Sequence, residues 1–127
     1  MTSCLTPKES TSTECAIITF RIGNKGNYNG CIKLINSVVF DTTATLIHGY
    51  VTDKKTNKPL ENAFVKFYDG QEQYLDTTNS KGEFEFFKNI SKEQWNLKIV
   101  RPQYECLIIN DIIHAGGQWF DFKLSKE

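Results

Sequence analysis

From residue 46 to residue 124 the apolar side chains recur at every second position, a period that only a strand with one buried face satisfies. Ile47, Gly49 and Val51 share one side of such a strand, followed by Ala63, Val65 and Phe67, then Leu75 and Thr77. Phe84 and Phe86 come next, then Trp95, Leu97 and Ile99, then Tyr104, Cys106 and Ile108, and finally Phe120, Phe122 and Leu124. Turn chemistry separates them: Asn57-Lys58-Pro59, Asp69-Gly70, Asn79-Ser80-Lys81-Gly82 and Gly116-Gly117. Seven short strands broken in this way match a β-sandwich, so the expected fold is all-β. Upstream, Ile18, Phe20 and Ile22 also alternate, residues 23–30 read as a loop, and residues 31–35 and 38–40 are short apolar runs. The one helical candidate is a single turn at Ser91-Lys92-Glu93-Gln94.

A chain of 127 residues suits one core and buries enough surface to fold without a metal. Fifteen basic and fifteen acidic side chains cancel, which argues against electrostatic capture of nucleic acid or an anionic membrane. The one basic cluster, Lys54, Lys55 and Lys58, has acids close by and reads as a solvated hairpin tip. No apolar run approaches the length that crosses a bilayer.

Two stretches carry a resemblance. His48-Gly49-Tyr50-Val51-Thr52-Asp53, followed by Thr56-Asn57-Lys58-Pro59-Leu60-Glu61-Asn62-Ala63-Phe64-Val65, resembles the opening of carboxypeptidase regulatory-like domains. The likeness continues through Thr77 to Phe84, Trp95 to Ile99, Tyr104 and the closing strand Trp119 to Leu124, so it covers about residues 46–125. It implies a seven-stranded, transthyretin-like Greek-key β-sandwich serving as an accessory module of envelope proteins. One departure is local: the family often places Gly before the late Tyr, where this chain has Gln103. Gly49, Asp53, Pro59 and Gly82 each have a folding role. Gly49 suits the close approach of a neighbouring backbone, Pro59 ends ladder donation, and Gly82 supplies a positive φ.

The expected organisation is therefore a polar tether over residues 1–14, a β extension over residues 15–45 packing on the sandwich, and the sandwich over residues 46–127. Ser3-Cys4 ahead of a Ser/Thr-rich tether looks like the maturation point of a bacterial lipoprotein, with Cys4 lipidated; an ordinary N-terminus with a chance cysteine is the competing reading. The four cysteines, Cys4, Cys15, Cys31 and Cys106, show no C-x-x-C spacing and give no zinc or redox motif. With Cys4 set aside, a Cys15 to Cys31 bridge is the preferred pairing; small buried thiols at Cys31 and Cys106 are the alternative.

With Val51, Val65 and Leu75 taken as inward, Tyr50, Phe64, Tyr68 and Tyr74 fall on the opposite faces of their strands. Either the N-terminal strands pack over this face or extend the sheet, burying these aromatics, or the face is open and binds a sugar, a peptide or another subunit. Catalytic machinery is hard to find. His48 and His114 are the only histidines, and no metalloprotease motif, nucleophile elbow or phosphate loop occurs. Transthyretin-like hydrolases end in a Tyr-Arg-Gly-Ser tail that this chain lacks, and an exposed cleft joining His48, His114 and Arg101 would be needed to revive that activity. The donors Asp69, Glu72, Asp76 and Asn79 match no EF-hand, so neither metal nor cofactor is expected.

The functional expectation is a non-catalytic binding or structural module of the bacterial cell envelope, in the periplasm or on the outer membrane as a lipoprotein. The alternative is a small carbohydrate-binding module using Tyr50, Phe64, Tyr68 and Tyr74. The expected partner is a protein or a glycan, not nucleic acid, with membrane contact only through a lipid anchor and homodimer contact through strand edges.

Overall fold

A computed structural model of the chain describes residues 15–19, 26–28, 30–38, 44–69, 71–89, 94–113 and 116–127. These form ten strands: β1 Ala16–Thr19, β2 Gly26–Tyr28, β3 Ile32–Val38, β4 Ala44–Asp53, β5 Phe64–Tyr68, β6 Gln73–Thr77, β7 Glu83–Asn89, β8 Gln94–Val100, β9 Leu107–Ile113 and β10 Gly116–Leu124. They build two five-stranded sheets, ordered β1-β9-β8-β5-β6 and β2-β3-β10-β4-β7. Neighbours run antiparallel except β1 with β9 and β10 with β4, which are parallel. All-β architecture in two sheets is thus established.

The core lies between the sheets and follows the alternation closely. Ile47, Val51, Ala63, Val65, Phe67, Leu97, Ile99 and Phe122 are fully buried, with Phe84, Phe86, Trp95, Phe120 and Leu124 beside them. Phe67 of the first sheet stacks on Trp95 at 4.5 Å and reaches across to Phe86 of the second at 5.2 Å. Full burial of each large apolar side chain contributes about 1.5–3 kcal/mol, so these rings dominate the stability. Gly49 explains itself sterically: a Cβ there would sit 2.2 Å from the Phe84 ring and 2.9 Å from Phe122. The close neighbour is an aromatic pair, stacked at 5.8 Å, and not the backbone that the sequence suggested. Gly82 has φ +75°, and a Cβ would meet the Val51 carbonyl at 2.6 Å, as its turn requires.

Two strands reverse their expected phase. In β6 it is Tyr74 that packs against the core while Leu75 is 53% exposed. The β5–β6 hairpin sets Tyr74 opposite Phe67, which puts it on the inner face, and its ring lies 6.0 Å from Trp95. In β9, Leu107 and Ile109 are buried instead of Cys106 and Ile108. The strand begins only at Leu107, after a turn in which Gln103 takes φ +74° and Tyr104 is held in an isolated bridge to Lys126.

The cysteine pairing also differs from expectation. Cys15 is bonded to Cys106, not to Cys31, with the Cα atoms 4.6 Å apart. The cause is the parallel β1–β9 register: Ala16 lies opposite Leu107, so the residues preceding each strand meet, and the Ala16 N–H donates to the Cys106 carbonyl. Cys31, fully buried beside β3 in the other sheet, is itself disulfide-bonded, so neither it nor Cys106 is a free thiol. The tether with Cys4, the alternating Phe20 and Ile22, His114 and the turn at 91–93 lie outside the described residues.

The N-terminal strands extend the sheets at their edges. β1 adds to the free side of β9, contributing buried Ala16 and Ile18, and β3 adds to β10, contributing buried Ile32. Among the described residues, β1 and β3 lie beside the sheets' other strands and not across an outer face.

Candidate functional site

The four aromatics expected to share a ligand face are divided by the fold. Phe64 and Tyr68 lie on the outer face of the first sheet, Tyr50 lies on the outer face of the second, and Tyr74 points inward. On the first sheet Phe64 is 45% exposed beside Val100, and Lys66 sits over the Tyr68 ring at 4.9 Å. Tyr74 donates its hydroxyl to Glu72 at 2.8 Å, which pushes its pKa up.

Around Tyr50 the second sheet assembles something more organised. Because Phe120, Phe122 and Leu124 face the core, Trp119, Asp121 and Lys123 of β10 must face outward. The same alternation turns His48, Tyr50 and Thr52 of β4 outward, together with Glu83, Glu85 and Phe87 of β7. Register then aligns them in rows: Trp119, His48 and Glu85 in one, Asp121, Tyr50 and Glu83 in the next. The His48 and Tyr50 rings meet edge to face at 5.0 Å. His48 Nδ1 lies 3.3 Å from a Glu85 oxygen and Nε2 lies 3.8 Å from Glu83, a buried nitrogen without a hydrogen bond of its own. Trp119 is half-buried. The outward parity of the closing strand was the available signal for Trp119, which reading the strand for its buried residues passes over.

At one end of this face the polar groups satisfy one another. Lys123 Nζ donates to Asp121 at 2.9 Å, Asn57 at 2.8 Å and Thr52 at 3.3 Å, while the Thr52 hydroxyl donates to the other Asp121 oxygen at 2.8 Å. Here the row ends in a closed network, whereas Glu83 and Glu85 stand at the rim of the aromatic patch.

Asp53 anchors the turn that follows β4. One carboxylate oxygen accepts the N–H groups of Lys55 and Thr56 at 2.7 and 2.9 Å, and the other accepts the Tyr104 hydroxyl at 2.6 Å. The Tyr104 bond, with the backbone donors, holds its pKa at about 2, below the ordinary 3.8, and the same bond raises that of Tyr104. An open cleft of about 720 Å³ beside it is lined by Asp53, Lys54, Lys55 and Lys126. Asp53 is committed to its turn and to Tyr104, which is a structural assignment.

The remaining candidates are dispersed. Arg101 donates to the Glu61 carbonyl at 2.8 Å and lies over the Tyr104 ring, at the end of the first sheet, while His48 sits mid-strand on the outer face of the second. No shared cleft joins them among the described residues. The loop acids serve the backbone: Asp69 accepts the N–H groups of Gln71 and Glu72, and Asp76 accepts those of Thr77 and Glu85. Asn79 likewise accepts from Lys81 and Glu83. Among the described residues no group of three or more His, Cys, Asp or Glu side chains is placed to hold a metal ion.

No protein-family model and no curated protein matches the chain. Among solved structures it is similar to hydroxyquinol 1,2-dioxygenase from Pseudomonas putida DLL-E4, with 11% identity and a TM-score of 0.55 over 85% of this chain and 64% of the enzyme. It is similar to 3-chlorocatechol 1,2-dioxygenase from Rhodococcus opacus 1CP at 12% identity and a TM-score of 0.56, covering 85% of this chain and 70% of that one. A third likeness is to chlorocatechol 1,2-dioxygenase from Pseudomonas putida, at 10% identity and a TM-score of 0.54, over 93% and 69%. The chain thus spans roughly two thirds of the length of each enzyme, and at such identity the likeness establishes a common all-β frame and nothing of their chemistry.

Proposed function

We propose that this chain is a non-catalytic binding module of the bacterial cell envelope, and that it binds through the outer face of the second sheet. One observation carries the reading: Trp119, His48 and Tyr50 occupy adjoining positions on that face, with Glu83 and Glu85 beside them. Three half-buried rings at neighbouring register positions go beyond the singly scattered apolar residues of an ordinary surface. The Cys15–Cys106 disulfide supports an envelope location, since such bonds persist in oxidising compartments. The two-sheet frame, with the sequence resemblance over residues 46–125, supports a transthyretin-like Greek-key sandwich of the carboxypeptidase regulatory-like kind.

A lipid on Cys4 needs a thiol that no disulfide uses, whereas Cys31 is bonded to a cysteine other than Cys15 and Cys106. The proposal therefore includes no lipid anchor, and mass spectrometry of the unreduced native protein checks this, a lipidated Cys4 overturning it. The binding face is tested by nuclear magnetic resonance with labelled protein, screening soluble glycans and peptides. Shifts confined to residues 46–50, 83–87 and 117–121 support this face. Shifts confined to Phe64, Lys66, Tyr68 and Val100 would move the function to the first sheet, where Phe64 and Val100 are also exposed.

A further inference from the structure

We infer that the ligand of this face is a neutral glycan chain, with one sugar ring stacked on Trp119 and another over the His48–Tyr50 pair. The inference rests on the binding-module reading and adds the chemical class of the ligand.

Three features select that class. The first is topological: the ring-bearing strands β10 and β4 are paired on both sides, and the open edge of β7 lies beyond Glu83 and Glu85. An extended peptide adding to a sheet needs such an edge, so an occupant seated on the rings themselves must be read by side chains. The second feature is the mixture of rings with carboxylates. A protein partner flat enough to cover Trp119 and Tyr50 would bring Glu83 and Glu85 to its rim and would have to meet them there with donors of its own. A sugar ring supplies both halves of the match: its C–H face lies against an aromatic ring, and its hydroxyls donate to carboxylate oxygens, which only accept. Trp119 and Tyr50 stand diagonally, one strand and two residues apart, which strand spacing and rise put at about 8 Å. A glycan chain of a few rings spans that separation.

The third feature is charge. Glu83 and Glu85 flank His48, whereas the lysine nearest in register, Lys33, lies opposite Asp121, which also holds Lys123. The edge of the patch toward β7 is therefore acidic, and it disfavours uronate or sulfate groups while leaving hydroxyls welcome.

The test uses the whole chain titrated with neutral hexasaccharides of the cello-, xylo-, manno- and malto- series, with oligogalacturonate as the acidic comparison. Trp95 is fully buried, so ligand-dependent quenching of indole fluorescence reports Trp119. At least one neutral series should quench, and calorimetry should show binding weakened tenfold or more in Trp119→Ala and several-fold in Tyr50→Ala, with unchanged thermal melts. Glu83→Gln with Glu85→Gln should weaken the neutral ligand and raise the affinity for oligogalacturonate. Absence of binding by every neutral series at millimolar concentration, binding of oligogalacturonate alone, or binding indifferent to both aromatic substitutions overturns the inference. If the face then responds in resonance spectra to an acidic glycan or a peptide, the binding-module reading survives without it; if the responses lie elsewhere, both fall.

Discussion

Asp53 and Tyr104 are fifty-one positions apart in sequence and share a 2.6 Å hydrogen bond, and this pair links the β4 turn to the segment before β9. The Asp53 carboxylate is favoured in the folded state, with its pKa near 2 against 3.8 ordinarily. Its contribution is therefore complete above about pH 4 and is lost as pH falls from about 4 toward 2, where the folded carboxylate at last takes up its proton. At 1.36 kcal/mol per unit, the whole contribution is at most about 2 kcal/mol. Tyr104→Phe should lower stability by about 1–2 kcal/mol at pH 7, and the gap to the parent should narrow below pH 3; urea denaturation at the two pH values measures both. Gln103 offers the opposite sign. It occupies a left-handed conformation with φ +74°, which costs an L side chain about 1 kcal/mol, at the position where the resembling family often has glycine. Gln103→Gly should raise stability by about 1 kcal/mol in the same assay. The turn glycine at 82 was legible because turn residues announce their φ, while the Asp53–Tyr104 pair was not, since sequence holds no measure of that distance.

At the scale of the strand, legibility depended on where each strand starts. Periodicity placed β5, β7, β8 and β10 on the correct face, because long runs such as Phe120, Phe122 and Leu124 admit one phase. The phase of β6 and of β9 slipped by one residue, and a one-residue slip exchanges the two faces. Both follow turns: the loop 69–72 ahead of Tyr74, and Gln103 ahead of Leu107, set the register by turn geometry that no apolar pattern encodes. The disulfide belongs here too, since Cys15 and Cys106 meet only because a four-residue β1 runs parallel to β9. Closing 91 residues with one bond should stabilise the fold by roughly 2–4 kcal/mol. Replacing both Cys15 and Cys106 by Ser should lower the urea midpoint accordingly, and hydrogen exchange should show β1 amides losing protection before those of β8. Gly49→Ala, by contrast, forces a Cβ into the Phe84 ring and should cost about 3 kcal/mol, seen as a lower midpoint with an unchanged urea slope.

For the whole molecule, the open question is whether residues 46–127 are complete without the strands before them. The aromatic patch of Trp119, His48 and Tyr50 lies on β10 and β4, at the centre of a sheet only because β3 lies on the outer side of β10. Without β3, the nine-residue β10 becomes an edge, the long apolar kind that templates association, and the core loses Cys31 and Ile32. Without β1 the other sheet loses Ala16 and Ile18, and β9 becomes an edge as well. Both new edges lie on the same side of the sandwich, opposite β6 and β7, so the core would be opened along one flank. A chain beginning at Leu46 should therefore associate or bind a hydrophobic dye where the full chain stays monodisperse, as light scattering and dye fluorescence would show. A monodisperse, dye-silent truncation with the parent's melting temperature would make residues 46–127 the autonomous domain. It would also place β10 at a free edge, where a strand of a partner can add beside Trp119, so the same sample should be offered the excised segment of residues 15–45 in solution. Restored protection of β10 amides from hydrogen exchange would mean that the N-terminal strands dock as an independent piece.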